Sequence, residues 1–289
     1  MKQALAIAAV ILFSAPGFTQ QRAAEPVSLV QVSTGLYEIL GGRGARGGVF
    51  VYSGGVCVID AKMDKTSVDE TIARIADLTD APIRYLIDTH SDGDHVNGNR
   101  FYPESTVIVA HENCRREFFH PTRDGSASEW NDPSLAAFVP EITFSDKLTL
   151  HTGKKTVELY YFGVGHSTGD IVVYFPASKT AFVGDQIRMT NPQLIHSYKG
   201  GNSFAHVKTL ERMLATLDAR TFLSGHDNPV GRNDILDRIG VMKQRQAKVR
   251  AARSQGETLE QCQALFPENE RTLVETIWAE IAEGRDKGK

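Results

Sequence analysis

Short apolar runs alternate with polar, glycine-rich turns along the first part of the chain. LYEIL (36–40), GVFVYS (48–53) and VCVIDA (56–61) are rich in β-branched and aromatic residues. They are joined by GGRGARGG and SGG, so they predict successive strands. From about Ser67 to Leu78 the apolar spacing becomes helical, with Val68, Ile72, Ile75 and Leu78 on one face. IRYLIDTH (83–90) and TVIVAH (106–111) read as buried strands, the second followed by a helix through Phe119. Residues 120–140, HPTRDGSASEWNDPSLAAFVP, have no period and predict a long loop, a feature often functional in a compact domain. Trp130 and Phe138 in it are candidates to cover a pocket, with a packed surface loop as the equal alternative.

A second strand block follows in LTLHT, TVELYYFG, DIVVYFP and TAFVGD. SFAHVKTLERMLATL (203–217) is amphipathic through Phe204, Val207, Leu210, Leu214 and Leu217, with Ser203 as its candidate cap. TFLSGH is a last strand. The tail from Asn233 to about Glu283 is mostly helical, with Leu273, Ile277 and Ile281 as a core stripe. Strands then helices, twice over, predict an α/β protein with two β-sheets enclosed by helices.

Composition narrows the function. The 289 residues are 41% hydrophobic and 23% charged, enough for a large core. A net charge of -3 without a basic run argues against nucleic-acid binding. MKQALAIAAVILFSAPGF has the layout of a secretory signal peptide, and its apolar run is too short for a stable membrane span. Residues 1–24 are therefore expected to be a leader, cleaved near Ala15 or Ala24, and residues 25–289 one catalytic domain, periplasmic or secreted. Cys57, Cys114 and Cys262 are too few and too scattered for a disulfide scaffold or a thiolate metal site.

The polar residues that end the apolar strands carry the chemistry. Asp60, His90, His166, Asp185 and His226 each follow such a run. One such residue alone is ordinarily structural, or a helix cap in the case of Asp. THSDGDHVNGN (89–99) changes the balance, because it puts His90, Asp92, Asp94 and His95 into six residues. Charges that dense are hard to bury without a cation.

These residues resemble the signature of the metallo-β-lactamase-fold hydrolases, a family of β-lactamases, glyoxalase II-type thioesterases and lactonases. The signature is H-x-H-x-D-H, then a His, an Asp after a Gly, and a His. Here His90, Asp92, Asp94, His95, His166, Asp185 and His226 stand in that order, within VCVIDA, HSTGD, FVGD and SGH. The resemblance implies an αβ/βα sandwich of two mixed β-sheets flanked by helices, with two divalent metals at one edge, zinc first. It assigns His90, Asp92 and His166 to one metal, Asp94, His95 and His226 to the other, and Asp185 as a bridge. Asp60 would orient metal-bound residues, with a helix cap as the alternative.

Asp92 departs from the signature. It is read as an oxygen ligand, as the mark of a weakened one-metal site, or as the mark of an inactive relative. As a ligand it favours iron or manganese beside zinc. It would also bring the cluster, with Asp94 and Asp185, nearer neutrality and weaken its Lewis acidity. The flavodiiron proteins resemble this carboxylate pattern, but the chain has no recognisable flavin module. The expected reaction is hydrolysis of a small-molecule ester, thioester, lactone or lactam by a metal-bound hydroxide, with Asp94 orienting the nucleophile. The alternatives are a non-haem iron redox enzyme and a metal-binding protein without turnover. Arg188, His196, Tyr198 and Lys199 are candidate substrate contacts, with a surface salt bridge as the plainer reading of Arg188. His111, His120, His151 and His206 are read as non-ligands.

Overall fold

The structure is a computed structural model and describes residues 25–287; the expected leader, residues 1–24, lies outside them. All the strands expected from the pattern are present, and two more join them. The first sheet has seven strands in chain order: β1 (Ser28–Ser33), β2 (Leu36–Leu40), β3 (Gly47–Tyr52), β4 (Gly55–Ile59), β5 (Ile83–Ile87), β6 (Val107–His111) and β7 (Ile142–Phe144). It is antiparallel from β1 to β4 and parallel from β4 to β7. The second has five strands: β8 (Lys147–Thr152), β9 (Lys155–Tyr160), β10 (Val172–Phe175), β11 (Thr180–Phe182) and β12 (Thr221–Leu223), of which β11 and β12 are parallel.

Strand alternation makes the layers. Phe50, Cys57, Ile59, Ile87 and Val109 face Leu159, Val173, Phe175, Phe182 and Leu223 across the inter-sheet core. Their neighbours Val49, Val56, Val58, Leu86 and Ile108 point the other way, onto Val68 and Ile75 of helix α1 (Lys65–Ala76). On the far side Val172, Ala181, Val183 and Phe222 face helices α4 (Ser203–Thr216), α5 (Arg232–Ser254) and α7 (Arg271–Ala282). The period of two thus gives each strand two buried faces, and the order is helix, sheet, sheet, helix. Between the outer helices in sequence lie the short α2 (Gly93–Val96), α3 (Glu112–Phe118) and α6 (Leu259–Gln263).

Several local expectations are corrected. Helix α1 ends at Ala76 and leaves Leu78 42% exposed, because Asp77 caps the last turn. Asn202, not Ser203, caps α4, by accepting the Ala205 N–H. Ser203 instead donates its N–H (2.8 Å) and its hydroxyl to the buried Glu280 carboxylate, tying α4 to α7. Residues 120–140 hold two 3-10 turns, and Trp130 packs inward on Phe118 with the Arg100 guanidinium over its ring. The three cysteines are buried and free. No helix among the described residues is long and apolar enough to cross a membrane.

Candidate metal centre

The strand ends meet at one edge of the sandwich. At the end of β4 Asp60 takes a left-handed backbone (φ 57) and turns its carboxylate onto the extension of β5. Asp60 Oδ1 accepts the Thr89 N–H at 2.8 Å, and Oδ2 accepts the Thr89 hydroxyl at 2.9 Å. Asp60 Oδ2 is also 2.8 Å from His95 Nδ1. The cap of α1 is Asp64. Since Thr89 donates to Asp60, its oxygen accepts from His90 Nδ1, 3.1 Å away. The Leu194 carbonyl, which only accepts, is 2.9 Å from His166 Nδ1.

One consequence is decisive: in all three rings the Nδ1 proton is committed, and each Nε2 presents a lone pair inward. What those lone pairs meet is anionic. His166 Nε2 is 2.9 Å and His90 Nε2 3.6 Å from Asp92 Oδ2. His95 Nε2 is 3.2 Å from Asp185 Oδ1, and His226 Nε2 is 3.2 Å from both Asp94 Oδ2 and Asp185 Oδ2. A lone pair against a carboxylate is repulsive unless a proton or a cation lies between. His90 Nε2, His95 Nε2 and Asp185 Oδ1 are buried and have no partner of hydrogen-bond geometry, the 3.2 Å approach of the last two included. Such groups cost about 1–3 kcal/mol each when left unsatisfied. The ligand atoms fall into three groups, each within 4.8 Å: His90–His166–Asp185, Asp92–His166–His196 and Asp94–His95–His226. That spacing fits first-row ions with bonds of about 2.0–2.2 Å. The residues present therefore suit the metals that the signature implies.

Glycines let the pieces close. A Cβ on Gly225 would stand 2.6 Å from Asp185 Oδ1 and from the His95 ring. Gly184, at φ 52, has Thr89 and His90 in the same position.

Without a cation, protons do the pairing. Burial opposes charge on His166, but Asp92 outweighs it and raises its pKa to about 9. Hydrogen bonds donated to Asp185 and Asp94 raise His226 to about 9. Both lie above the ordinary imidazole value of 6.5, so their stabilisation is complete below that pH and is lost as pH rises through about 9. The metal-free protein is expected to melt at progressively lower temperature between about pH 7 and pH 9. Metal should flatten this slope, because metal and proton compete for the same lone pairs. Thermal unfolding with and without chelator measures both. A second expectation concerns Asp60. Asp60→Asn preserves a side chain tolerant of the left-handed backbone but weakens the acceptor of the Thr89 and His95 protons. Metal affinity is expected to fall about 10–100-fold, read by chelator competition.

Three of the four expected substrate contacts are bonded to carboxylates of the cluster. The Lys199 side chain is 9% exposed, and the three N–H bonds of Nζ go to Ser91 O (3.1 Å), Ser91 Oγ (2.9 Å) and Asp92 Oδ1 (2.8 Å), leaving none for a substrate. His196 turns its Nε2 to Asp92 Oδ2 at 2.8 Å. Arg188 pairs with Asp185 at 3.4 Å and is only 19% exposed, so this is not a surface salt bridge. Tyr198 lines a cleft of about 230 Å³ with Ser91, Glu117, His120, Trp130 and Lys199. The Lys199–Asp92 pair also corrects the charge expectation. The ammonium cancels the negative charge that Asp92 adds, so the pair stands in for a neutral histidine. His111 caps α3, and His206 Nε2 is 2.8 Å from the Gln186 carbonyl; neither belongs to a ligand group, and nor do His120 and His151.

A two-sheet sandwich with imidazoles and carboxylates gathered at its strand ends defines a class of αβ/βα metal-binding protein. Residues 42–226 match the metallo-beta-lactamase superfamily, and the chain belongs to it. It is 24% identical over 211 residues to "Metallo-beta-lactamase type 2" of Bacteroides fragilis, covering 70% of this chain and 80% of that one. Among solved structures it is similar to the metallo-beta-lactamase from Pontibacter korlensis (TM-score 0.61, 16% identity, 75% of this chain and 99% of that one). It is similar also to FIM-1 from Pseudomonas aeruginosa in the mono-zinc form (TM-score 0.60, 15% identity, 76% and 96%). Likeness at that identity speaks for the fold.

Proposed function

We propose that the protein is an exported metal-dependent hydrolase of a carbonyl substrate, an ester, thioester, lactone or lactam. The observation that carries this is the set of buried His Nε2 lone pairs aimed at Asp92 and Asp185. His90, Asp92 and His166 would hold one metal and Asp94, His95 and His226 the other, with Asp185 between them. The metals supply Lewis acidity and an acidified water, the two requirements of carbonyl hydrolysis. Asp94 is 33% exposed, the most open carboxylate of the set, and its pKa is lowered to about 2 although burial opposes this, because His226 bonds it. It is therefore an anion at neutral pH, suited to accept a hydrogen bond and orient the attacking group rather than to donate a proton. Three candidate nucleophiles, Ser224, Ser167 and Cys57, are otherwise engaged. The Ser224 hydroxyl donates to the Ile187 carbonyl, the Ser167 hydroxyl donates to Asp170, and burial pushes the Cys57 thiol up to about 12. The cleft lined by Ser91, Gly93, Tyr198 and Lys199, the neighbours of Asp92, would take the substrate.

A panel of nitrocefin, lactones and thioesters, offered to the Zn-, Mn- or Fe-loaded protein, tests this. Turnover lost in His90→Ala supports it; a metal-loaded protein that turns over none of them refutes it. One observation favours a second reading. Asp92, His166 and His196 form a two-His, one-carboxylate group, a donor set that also suits non-haem iron. Iron as the purified metal, with oxygen uptake, would favour redox chemistry instead.

A further inference from the structure

At position 92 the chain has a carboxylate where the signature has an imidazole, and the structure sets another imidazole beside it. His196 Nε2 lies 2.8 Å from Asp92 Oδ2, the same oxygen that His166 Nε2 approaches at 2.9 Å. The two rings stand 4.4 Å apart between centroids, and the three ligand atoms are mutually within 4.8 Å. This placement is built into the backbone. The His196 N–H donates to the His166 carbonyl at 2.7 Å, and the Gly201 N–H returns to the His196 carbonyl at 3.0 Å. The turn carrying His196 is thereby fixed to the segment carrying His166.

Asp92 is fixed as well. Its Oδ1 is held by the Lys199 ammonium, which also donates to Ser91 O and Oγ. The Ser91 hydroxyl in turn donates to Glu117 Oε2 at 2.6 Å, and Glu117 Oε1 accepts the Thr168 N–H at 2.8 Å. With Oδ1 committed, Oδ2 is the one oxygen left to face the imidazoles. His166 has its Nδ1 proton committed to the Leu194 carbonyl and so brings a lone pair to Oδ2, while His196 Nε2 can present either a proton or a lone pair there. A divalent ion shared by Oδ2 and the two Nε2 atoms accounts for both approaches and for their mutual spacing.

We infer that His196 is a metal ligand that replaces the imidazole absent from position 92. The first metal is then held by Asp92 Oδ2, His166 and His196, with His90 facing the same oxygen from 3.6 Å. The inference rests on the metal-dependent reading above and goes beyond the ligand set which the signature supplies.

Cobalt(II) loading tests it, with chelator titration and ligand-field absorption as readouts that do not depend on turnover. The wild-type protein is expected to bind two equivalents. His196→Ala should lose at least tenfold in affinity for one equivalent, with a changed absorption band, and retain the other. Asp92→Ala should weaken the same equivalent. His196→Gln keeps a hydrogen-bonding side chain next to Asp92 but removes the imidazole, and it should behave like His196→Ala. If His196→Gln holds both equivalents with wild-type affinity and spectrum, His196 is only a hydrogen-bond partner of Asp92 and the inference is overturned. A folded wild-type protein that binds no cobalt, zinc, manganese or iron would overturn the hydrolase reading itself.

Discussion

Asp185→Asn is expected to lower kcat/KM of the metal-loaded protein by about 10²–10³-fold or more, the scale of losing one preorganised charge-stabilising group. It should also weaken both metal positions together. The reason is geometric. Asp185 is 3% exposed, and its two oxygens face different imidazoles, Oδ1 towards His95 and Oδ2 towards His226. It is also grouped with His90 and His166 on the other side of the cluster. No other carboxylate of the ligand groups belongs with residues of both halves. An amide of the same shape removes the anion and can turn an N–H towards a metal or a ring nitrogen. The backbone should hold, since the Asp185 carbonyl accepts the Gln193 side chain at 2.8 Å whatever the side chain at 185. Steady-state kinetics and metal titration on the same sample check it. If only one equivalent weakens, Asp185 is a ligand of one metal and no bridge.

Much of this centre was legible because strand ends are legible. Asp60, His90, Asp185 and His226 follow runs whose period of two fixes both sheet faces, so their arrival at one edge needs only the layering. The edge strands β1 and β7 were missed for the same reason in reverse. Their side chains are mostly exposed or half-buried, so no alternation marks them. The approach of His196 to Asp92 was not legible, because nothing local distinguishes LIHSYKGG from an ordinary rim loop. Asp92 lies 104 residues earlier, and what joins the two is a backbone bond to His166. Lys199 was similarly opaque, since a lysine three residues along a turn reads as solvated until Ser91 and Asp92 are seen to take all its protons. The Thr89 hydroxyl and the Leu194 carbonyl set imidazole tautomers, yet neither has a side-chain chemistry that sequence alone would single out.

Lys199→Met should cost the metal-free protein several kcal/mol and the metal-loaded protein much less. Methionine keeps most of the apolar stem and removes the charge, so the change isolates the ammonium. Breaking a buried pair by deleting one partner typically costs about 3–5 kcal/mol, because the other charge stays behind. Asp92, at 12% exposure, would be that charge. At neutral pH protonated His166, with its pKa near 9, compensates part of the loss, so the penalty should be largest at and above that pH. A bound metal compensates at any pH. By linkage, the difference between the metal-free and metal-loaded penalties is a gain in metal affinity. The variant is therefore predicted to be less stable without metal and to bind the metal next to Asp92 more tightly. With the ammonium gone, the cluster is more negative and the metals are weaker Lewis acids, so the kcat profile should move to higher pH. Asp92→Asn added to Lys199→Met should recover much of the metal-free stability, since it removes the stranded charge, and the double-mutant cycle gives the coupling directly. Equal melting of Lys199→Met and wild type in chelator at pH 9 would mean that the lysine is not the counter-ion of Asp92.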